Sequence, residues 1–250
     1  LNQALYGRNG EAPCIVVAAS SPADCFYWAF EAAKLSVEHM TPVILLTDGY
    51  LGNGSQLFRI PKMADLPKIT APIAKANDPN YKPYLRNPET LARQWAVPGT
   101  EGLQHRVGGL EKENIKGNLS TDPENHAVMT ELRKEKVMRV ANYIDEQEVK
   151  GNPDADVLVI GWGGTAGTLN TAIEELNEEG KAIAYTHFNY IMPLTKNAED
   201  ILKKYKKIIV CELNSGQFVG YLRTLYPQYP YEQYNKVMGL PFEVIELKDK

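Results

Sequence analysis

Short apolar runs of strand length alternate with amphipathic helical patterns in two stretches of the chain, residues 14–47 and 156–247. In the first stretch, the continuous apolar run from Cys14 to Ala19 predicts a strand that is buried on both faces of a parallel sheet. A helix capped by Ser21 and a second strand, Val43 to Leu46, complete a βαβ unit. The helix is expected to place one apolar face on the sheet, made of Phe26, Ala29, Phe30, Ala33, Val37 and Met40.

This first unit has too few strands to form a stable sheet by itself, because about three or more are needed. Residues 48–97 show no further strong strand pattern, and the seven prolines between Pro61 and Pro98 favour extended backbone along a surface. We therefore expect the unit either to be shortened or to borrow strands from elsewhere. Its missing neighbours predict exposed apolar edges around Ile15–Val17 and Ile44–Leu46, and hence self-association or a swapped arrangement.

The second stretch predicts an open, mostly parallel α/β sheet with helices on both faces. A surface helix capped by Asp122 and running to about Glu148 is expected before it. The expected elements of the sheet domain are strand Val157–Ile160, helix Ala166–Glu179, strand Ala182–Thr186, helix Asn197–Tyr205, strand Ile208–Cys211, helix Gly216–Leu225 and strand Phe242–Leu247. A group of tyrosines near the end is either a subunit interface or a packed loop: Tyr226, Tyr229, Tyr231 and Tyr234.

Composition and charge narrow the class of protein. With 44% hydrophobic and 23% charged residues, the chain is a globular protein rather than a disordered one. The net charge of -4 argues against nucleic acid or an anionic membrane as a partner. Cys14, Cys25 and Cys211 lack C-x-x-C spacing, and no apolar run approaches the ~20 residues of a membrane helix. A cytoplasmic protein is expected.

Two turns at the carboxyl ends of predicted strands are the only candidates for cofactor binding, and both are weak. Gly161, Gly163, Gly164 and Thr165 lead from a strand into a helix, where free backbone N–H groups could hold a phosphate. Their spacing is not G-x-G-x-x-G, so tight packing is the favoured interpretation. The second candidate, Asp48 and Gly49, follows the strand at Val43, where a turn role is at least as plausible as a functional one.

The polar stretch between the two units carries two histidines without the spacing of a metal site. His105, Arg106, Asp122 and His126 are therefore expected to act in docking and hydrogen bonding. His39 and His187 are expected to be satisfied, partly buried imidazoles. No metal ligand and no catalytic residue is predicted.

The same stretch carries a resemblance to a known family. Gly99-Thr100-Glu101-Gly102-Leu103, His105-Arg106-Val107-Gly108-Gly109-Leu110-Glu111, Asp122-Pro123-Glu124-Asn125-His126 and Arg133-Lys134-Glu135-Lys136-Val137 resemble the α subunit of 2-oxoacid:ferredoxin oxidoreductases, especially the bacterial 2-oxoglutarate type. Upstream, Gln3-Ala4-Leu5-Tyr6-Gly7-Arg8 and the run from Pro42 to Leu51 match the same family. The similarity covers essentially the whole chain.

The resemblance implies a thiamine-diphosphate-dependent enzyme that converts a 2-oxoacid, coenzyme A and oxidised ferredoxin into acyl-coenzyme A, carbon dioxide and reduced ferredoxin. It implies part of a pyrimidine-binding α/β domain over residues 1–70, an extended connection with a surface helix over 71–152, and a transketolase C-terminal-like domain over 153–250. Thiamine diphosphate with Mg and an iron–sulfur cluster on the β subunit are implied for the complex, and none for this chain alone. The expected partners are the β subunit, ferredoxin and coenzyme A through the complex, and further copies of the α subunit.

In this family the activating glutamate and the Tyr-Pro-Ile-Thr-Pro segment precede the point that matches Leu1. The chain is therefore expected to be the C-terminal portion of an α subunit that serves assembly and is not catalytic alone. The sequence does not decide which 2-oxoacid is used. Two rival interpretations stay open: a stand-alone nucleotide-binding oxidoreductase that uses the turn at Gly161–Thr165, and a noncatalytic interaction module.

Overall fold

The computed structural model describes all 250 residues and contains two sheets that share one core. The elements of the first half are helix α1 (Asn2–Tyr6), strand β1 (Ile15–Ala18), helix α2 (Asp24–His39), strand β2 (Val43–Leu46), helix α3 (Gly49–Asn53), a 3-10 turn at Met63–Asp65, helix α4 (Pro123–Arg139) and a 3-10 turn at Val140–Asn142. Those of the second half are β3 (Lys150–Gly151), β4 (Val157–Trp162), a 3-10 turn at Gly163–Thr165, α5 (Ala166–Glu178), β5 (Ile183–Phe188), β6 (Tyr190–Met192), α6 (Ala198–Leu202), β7 (Lys207–Glu212), α7 (Gln217–Leu225), β8 (Tyr231–Asn235) and α8 (Val244–Lys248).

The first sheet has three strands in the order β2-β1-β6, so its third strand comes from the second half of the chain. Strand β1 pairs with β2 in parallel and with β6 in antiparallel register, with Val16 opposite Met192 and Val17 opposite Tyr190. The predicted apolar edge at Ile15–Val17 is therefore wrong, because β6 covers that side and β1 is fully buried. Strand β2 does lie at the edge of the sheet, with all four residues partly exposed.

The second sheet has five strands in the order β3-β5-β4-β7-β8, and every neighbouring pair except β3 with β5 is parallel. The predicted α/β class with a mostly parallel sheet is confirmed. The predicted strand Phe242–Leu247 is wrong, because Glu243 and Glu246 form a capping box that starts helix α8. The fourth parallel strand is β8, which places Tyr231 opposite Ile208 and Tyr234 opposite Cys211. Half of the tyrosine group thus belongs to the sheet.

Helix α2 packs on the first sheet with a different face from the predicted one. Trp28, Ala32 and Leu35 point inward, and the Trp28 ring meets Tyr190 of β6 edge to face with 4.9 Å between ring centroids. Of the residues predicted to lie on the sheet, Phe26, Ala29 and Ala33 are exposed. The helix is apolar on both sides, so periodicity alone could not choose the buried one. Its outer face remains apolar and uncovered.

Helix α4 ends at Arg139 rather than near Glu148. Val137 and Val140 are fully buried against β1, and the chain tightens into a 3-10 turn at Val140 before it leaves the helix. The Arg139 guanidinium donates to the carbonyl oxygens of Pro88 and Glu89, which ties the proline-rich segment to the helix end. None of the helices is long and apolar enough to cross a membrane.

The largest core joins both halves. Val16 and Ala18 of β1 contribute to the same buried cluster as Leu158, Phe188 and Leu222 of the second sheet and its helices. Apolar side chains from the two sheets thus exclude water together, and the two halves should unfold together.

We predict that Leu222→Ala, in the middle of this shared core, lowers the free energy of unfolding by about 3 to 5 kcal/mol, because it removes buried contacts and leaves a cavity. Urea unfolding followed by circular dichroism measures the change. The control is Leu57→Ala, since this leucine is 99% exposed and should shift stability by less than about 0.5 kcal/mol. Equal effects of the two substitutions, or two separate transitions, would contradict a single shared core.

Candidate functional site

The two candidate turns meet through the carboxylate of Asp48. Its Oδ1 accepts a hydrogen bond from Leu51 N at 3.0 Å and so caps helix α3. Its Oδ2 accepts from Gly164 N at 2.7 Å, across 116 positions of the sequence. The loop after β2 and the turn after β4 are therefore joined by one carboxylate that bridges two backbone segments. The sequence places both turns at strand ends but gives no sign that they touch.

The glycines of the second turn are needed for this contact. A Cβ added at Gly164 would lie 2.5 Å from Asp48 Oδ2, and one added at Gly161 would lie 2.5 Å from the Leu169 side chain. Gly163 has a φ of +61°, in the left-handed region that glycine adopts without strain. Thr165 donates its hydroxyl to the carbonyl oxygen of Trp162 at 2.9 Å. The turn is thus shaped by packing and by its own hydrogen bonds.

One N–H group at this turn is already used, because Gly164 N donates to Asp48. A phosphate there would have to displace a carboxylate of the same charge sign. Gly49 begins helix α3, and no atom lies within 4 Å of a Cβ placed on it, so it is not shaped around a neighbour. The geometry thus makes the turn an internal joint between the two halves.

Glu212 closes the crevice between the carboxyl ends of β4 and β7. Doubly wound sheets bind ligands in such a crevice, where the strand order reverses. Here the fully buried Glu212 accepts from Trp162 Nε1 at 3.1 Å, Phe218 N at 2.8 Å and Val219 N at 2.9 Å. The carboxylate therefore caps helix α7 and fixes the indole. Sequence reasoning missed Glu212, although an acid at a strand end a few residues before a helix was the available signal.

His187 lies at the end of β5, beside a polar cleft of about 640 Å³ between the two halves. The walls of the cleft include Ser20 from the loop after β1, Tyr190 from β6 and Asn170 from α5. His187 Nδ1 shares a 2.8 Å hydrogen bond with the hydroxyl of Tyr185, whereas Nε2 is closed off from solvent and has no partner. Burial lowers the pKa of His187 to about 3, so the imidazole is neutral at pH 7.

The histidines of the middle stretch do not come together. His105 Nδ1 is 2.8 Å from the carbonyl oxygen of Leu103, whereas His126 Nδ1 is 2.6 Å from Glu111 Oε2. Asp122 caps α4 by accepting from Glu124 N at 3.0 Å. Arg106 is exposed. No group of three or more His, Cys, Asp and Glu side chains in the chain is arranged to hold a metal ion.

Comparison with known proteins gives one consistent picture. Residues 1–120 match the family model described as pyruvate flavodoxin/ferredoxin oxidoreductase, thiamine diphosphate-binding. The chain is 43% identical over 248 residues to the 2-oxoglutarate oxidoreductase subunit KorA of Mycobacterium tuberculosis, covering 99% of this chain and 37% of that protein. It is 31% identical over 218 residues to the α subunit of 2-oxoacid:ferredoxin oxidoreductase 1 of Aeropyrum pernix, covering 84% of this chain and 33% of that one.

A solved structure shows the same arrangement of elements. The 2-oxoglutarate:ferredoxin oxidoreductase of Magnetococcus marinus, determined with 2-oxoglutarate, coenzyme A and succinyl-CoA bound, superposes with a TM-score of 0.92 at 28% identity. The match covers 100% of this chain and 43% of that one. The chain thus spans well under half the length of these relatives.

We predict that Asp48→Ala lowers the free energy of unfolding by about 2 to 3 kcal/mol, because it removes a helix cap and leaves Gly164 N without its acceptor. Hydrogen exchange of the Gly164 amide should accelerate in parallel. The matched control is Asp122→Ala, which removes a cap on α4 without touching the joint and should cost about 1 kcal/mol. If Gly164 exchange is unchanged in Asp48→Ala, the carboxylate does not hold the two halves together.

A second prediction concerns acid stability. The pKa of His187 in the folded chain is about 3, below the ~6.5 of an imidazole in an unfolded chain. The unfolded state therefore takes up the proton first, so this stabilisation is complete above about pH 6.5 and is lost as the pH falls towards 3. Lowering the pH from about 7 to about 4.5 should reduce the free energy of unfolding of the unaltered chain by about 2 kcal/mol more than that of His187→Gln. Urea unfolding at the two pH values measures this difference. The exposed His105→Gln should behave like the unaltered chain, and so would His187→Gln if the imidazole were solvated.

Proposed function

Because the chain belongs to the family of 2-oxoacid:ferredoxin oxidoreductase α subunits, we propose that it acts as part of such a subunit, of the 2-oxoglutarate type. The proposed reaction takes a 2-oxoacid, coenzyme A and oxidised ferredoxin to acyl-coenzyme A, carbon dioxide and reduced ferredoxin. The observation that carries the proposal is the 43% identity to a 2-oxoglutarate oxidoreductase subunit across 99% of this chain. The match to a 2-oxoglutarate:ferredoxin oxidoreductase structure over the whole chain supports it.

We assign this chain a role in assembly rather than in bond making. Its two conspicuous buried or bridging carboxylates, Asp48 and Glu212, have their oxygens bonded to backbone N–H groups or an indole, which leaves them as structural acceptors. The outer face of α2 instead offers apolar surface to a partner. Phe26 and Tyr27 form an aromatic group with Phe58, next to the fully exposed Leu57. Contiguous exposed apolar surface of this kind is typical of a subunit interface.

The residues present do not fit the diphosphate end of thiamine diphosphate. That group is held by a divalent cation with oxygen ligands and by free N–H donors. Gly164 N is bonded to Asp48, and no acidic or histidine cluster of the chain is arranged around a cation. We therefore propose that thiamine diphosphate with Mg and the iron–sulfur cluster are held by other parts of the enzyme, the cluster by the β subunit.

We also propose that the chain is divided into residues 1–70, 71–152 and 153–250 and that it acts in the cytoplasm. Its proposed partners are the β subunit, ferredoxin and further α subunits. No nucleic acid or membrane contact is proposed. The nucleotide-binding rival loses its site because Asp48 and Trp162 with Glu212 fill the turn and the crevice it would need. The alternative of a noncatalytic interaction module is distinguished from the enzyme subunit by the turnover assay described below.

The proposal predicts that an α subunit containing this chain, co-expressed with the β subunit, reduces ferredoxin only when 2-oxoglutarate and coenzyme A are both present. Phe26→Asp on the outer face of α2 should reduce co-purification and turnover by about tenfold or more, because it buries an unpaired carboxylate in the interface. The matched control is Val107→Asp, whose parent side chain is 85% exposed on another surface.

The outcomes separate the parts of the proposal. A complex that assembles without 2-oxoacid-dependent turnover would support the interaction module instead. Turnover that persists in Phe26→Asp would leave the activity standing and refute the interface on α2. Heat released on titration of the chain with NAD or NADP would favour the nucleotide-binding rival.

A further inference from the structure

Four basic side chains from two separate segments lie close together beside helix α4: Arg86 reaches Met129 Sδ of α4 at 3.4 Å, and the charges of Arg86, Arg93 and Arg133 all act on Lys136. Arg86 and Arg93 come from the proline-rich connection, and Arg133 and Lys136 come from consecutive turns of α4. Of the four, only Arg133 has a carboxylate partner, Glu111 Oε1 at 3.2 Å. Positive charge therefore outweighs negative charge by a wide margin in this cluster, on a chain whose net charge is -4.

The two arginines of the connection share one aromatic ring. The Arg93 guanidinium lies over Tyr84 at 4.2 Å from the ring centroid, and the Arg86 guanidinium is 5.9 Å from the same centroid. Arg86 donates to the side chain of Asn114 at 2.6 Å and to the carbonyl oxygen of Tyr84 at 3.2 Å. Arg93 donates to the carbonyl oxygen of Pro83 at 3.1 Å. Neutral acceptors thus fix both positions and neutralise neither charge.

Lys136 lies in an electrostatically unfavourable environment. Its Nζ donates to the carbonyl oxygen of Met40 at 2.7 Å and has no carboxylate within reach. Burial, followed by the charges of Arg93, Arg86 and Arg133, lowers the pKa of Lys136 to about 8. Like charges gathered in a partly buried place raise the free energy of the folded chain unless an anion joins them.

The structural roles of these residues account for their fixed positions but not for their charge. Hydrogen bonds to carbonyl oxygens could be made by neutral donors, whereas four neighbouring cations of which only Arg133 has a carboxylate partner are unfavourable without a further anion. The site is also reachable, since Arg133 keeps 37% of its side chain exposed and the other three are only partly buried.

We propose that Arg86, Arg93, Arg133 and Lys136 form a binding site for the phosphate group of a small ligand. A phosphate carries up to two negative charges and several acceptor oxygens, and arginine forks bind such oxyanions through paired hydrogen bonds. The carbonyl and ring contacts hold the cations in place before binding, so binding a phosphate costs little side-chain conformational entropy. The phosphate is either a free anion or part of a larger ligand such as coenzyme A, which the Magnetococcus marinus relative holds.

The test is calorimetric titration of the 250-residue chain with inorganic phosphate, pyrophosphate and coenzyme A at constant ionic strength, with phosphorus NMR line broadening as a second readout. Lys136→Met keeps an unbranched side chain and removes the charge, and Arg93→Lys keeps the charge and removes the fork. Each should weaken binding by about tenfold or more, since a charge-assisted contact is lost. The matched control is Lys134→Met on the same helix, whose side chain is 63% exposed.

Circular dichroism and melting without ligand establish that each variant is folded before binding is compared. Binding of all three probes, with coenzyme A tightest, supports a phosphate that belongs to a nucleotide-type ligand. Binding of phosphate and pyrophosphate alone supports a free anion. The proposal is overturned if the unaltered chain binds none of the probes, or if Lys134→Met weakens binding as much as Lys136→Met, because attraction would then be diffuse. This result is independent of turnover by the assembled enzyme.

Discussion

A three-residue strand makes the two halves of this chain one body. Tyr190–Met192 leaves the neighbourhood of the second sheet and pairs with β1, where it supplies the neighbour that the first sheet lacks. Ala18 N donates to the carbonyl oxygen of Asn189, and Asn189 Nδ2 donates to the carbonyl oxygen of Ala18, both at 2.8 Å. Without this pairing, β1 would expose apolar residues and unpaired backbone groups along its length. The hydrogen bond from Gly164 N to Asp48 is a second link between the same two halves.

Within that body, carboxylates occupy the positions that many α/β proteins offer to ligands. Asp48 bonds to a backbone N–H group in the turn before α5, and Glu212 bonds to two at the start of α7. Both contacts use the attraction between an anion and backbone donors near a helix N-terminus. Backbone donors that could bind an external anion are thus occupied by carboxylates of the chain itself. The unneutralised cations lie elsewhere, beside α4, where guanidinium and ammonium groups rather than backbone amides present the charge.

Much of the fold follows from local pattern, and the failures have physical causes. Strands β1, β2, β4 and β7 each contain four consecutive apolar residues, and such runs are easy to recognise as strands of a parallel sheet. Strand β8 reads Tyr-Glu-Gln-Tyr-Asn, which is too polar for that rule and forms because β7 offers it a partner at the sheet edge. The buried face of α2 could not be chosen because both faces are apolar.

The candidate site shows a similar division. The turns at Asp48 and at Gly161–Thr165 could be found because strand ends and glycines mark them in sequence. Their contact spans 116 positions and depends on tertiary packing, so no local rule predicts it. The family motifs lie in the polar connection, yet Glu212 and the pairing of β6 lie outside them.

Antiparallel pairing between β1 and β6 also dictates an order of events during synthesis. Ala18 bonds to a residue 171 positions later, so β1 lacks one of its two neighbouring strands until β6 has been synthesised. Until β6 is available, β1 presents unpaired backbone groups and apolar side chains along one side, which is a state prone to aggregation.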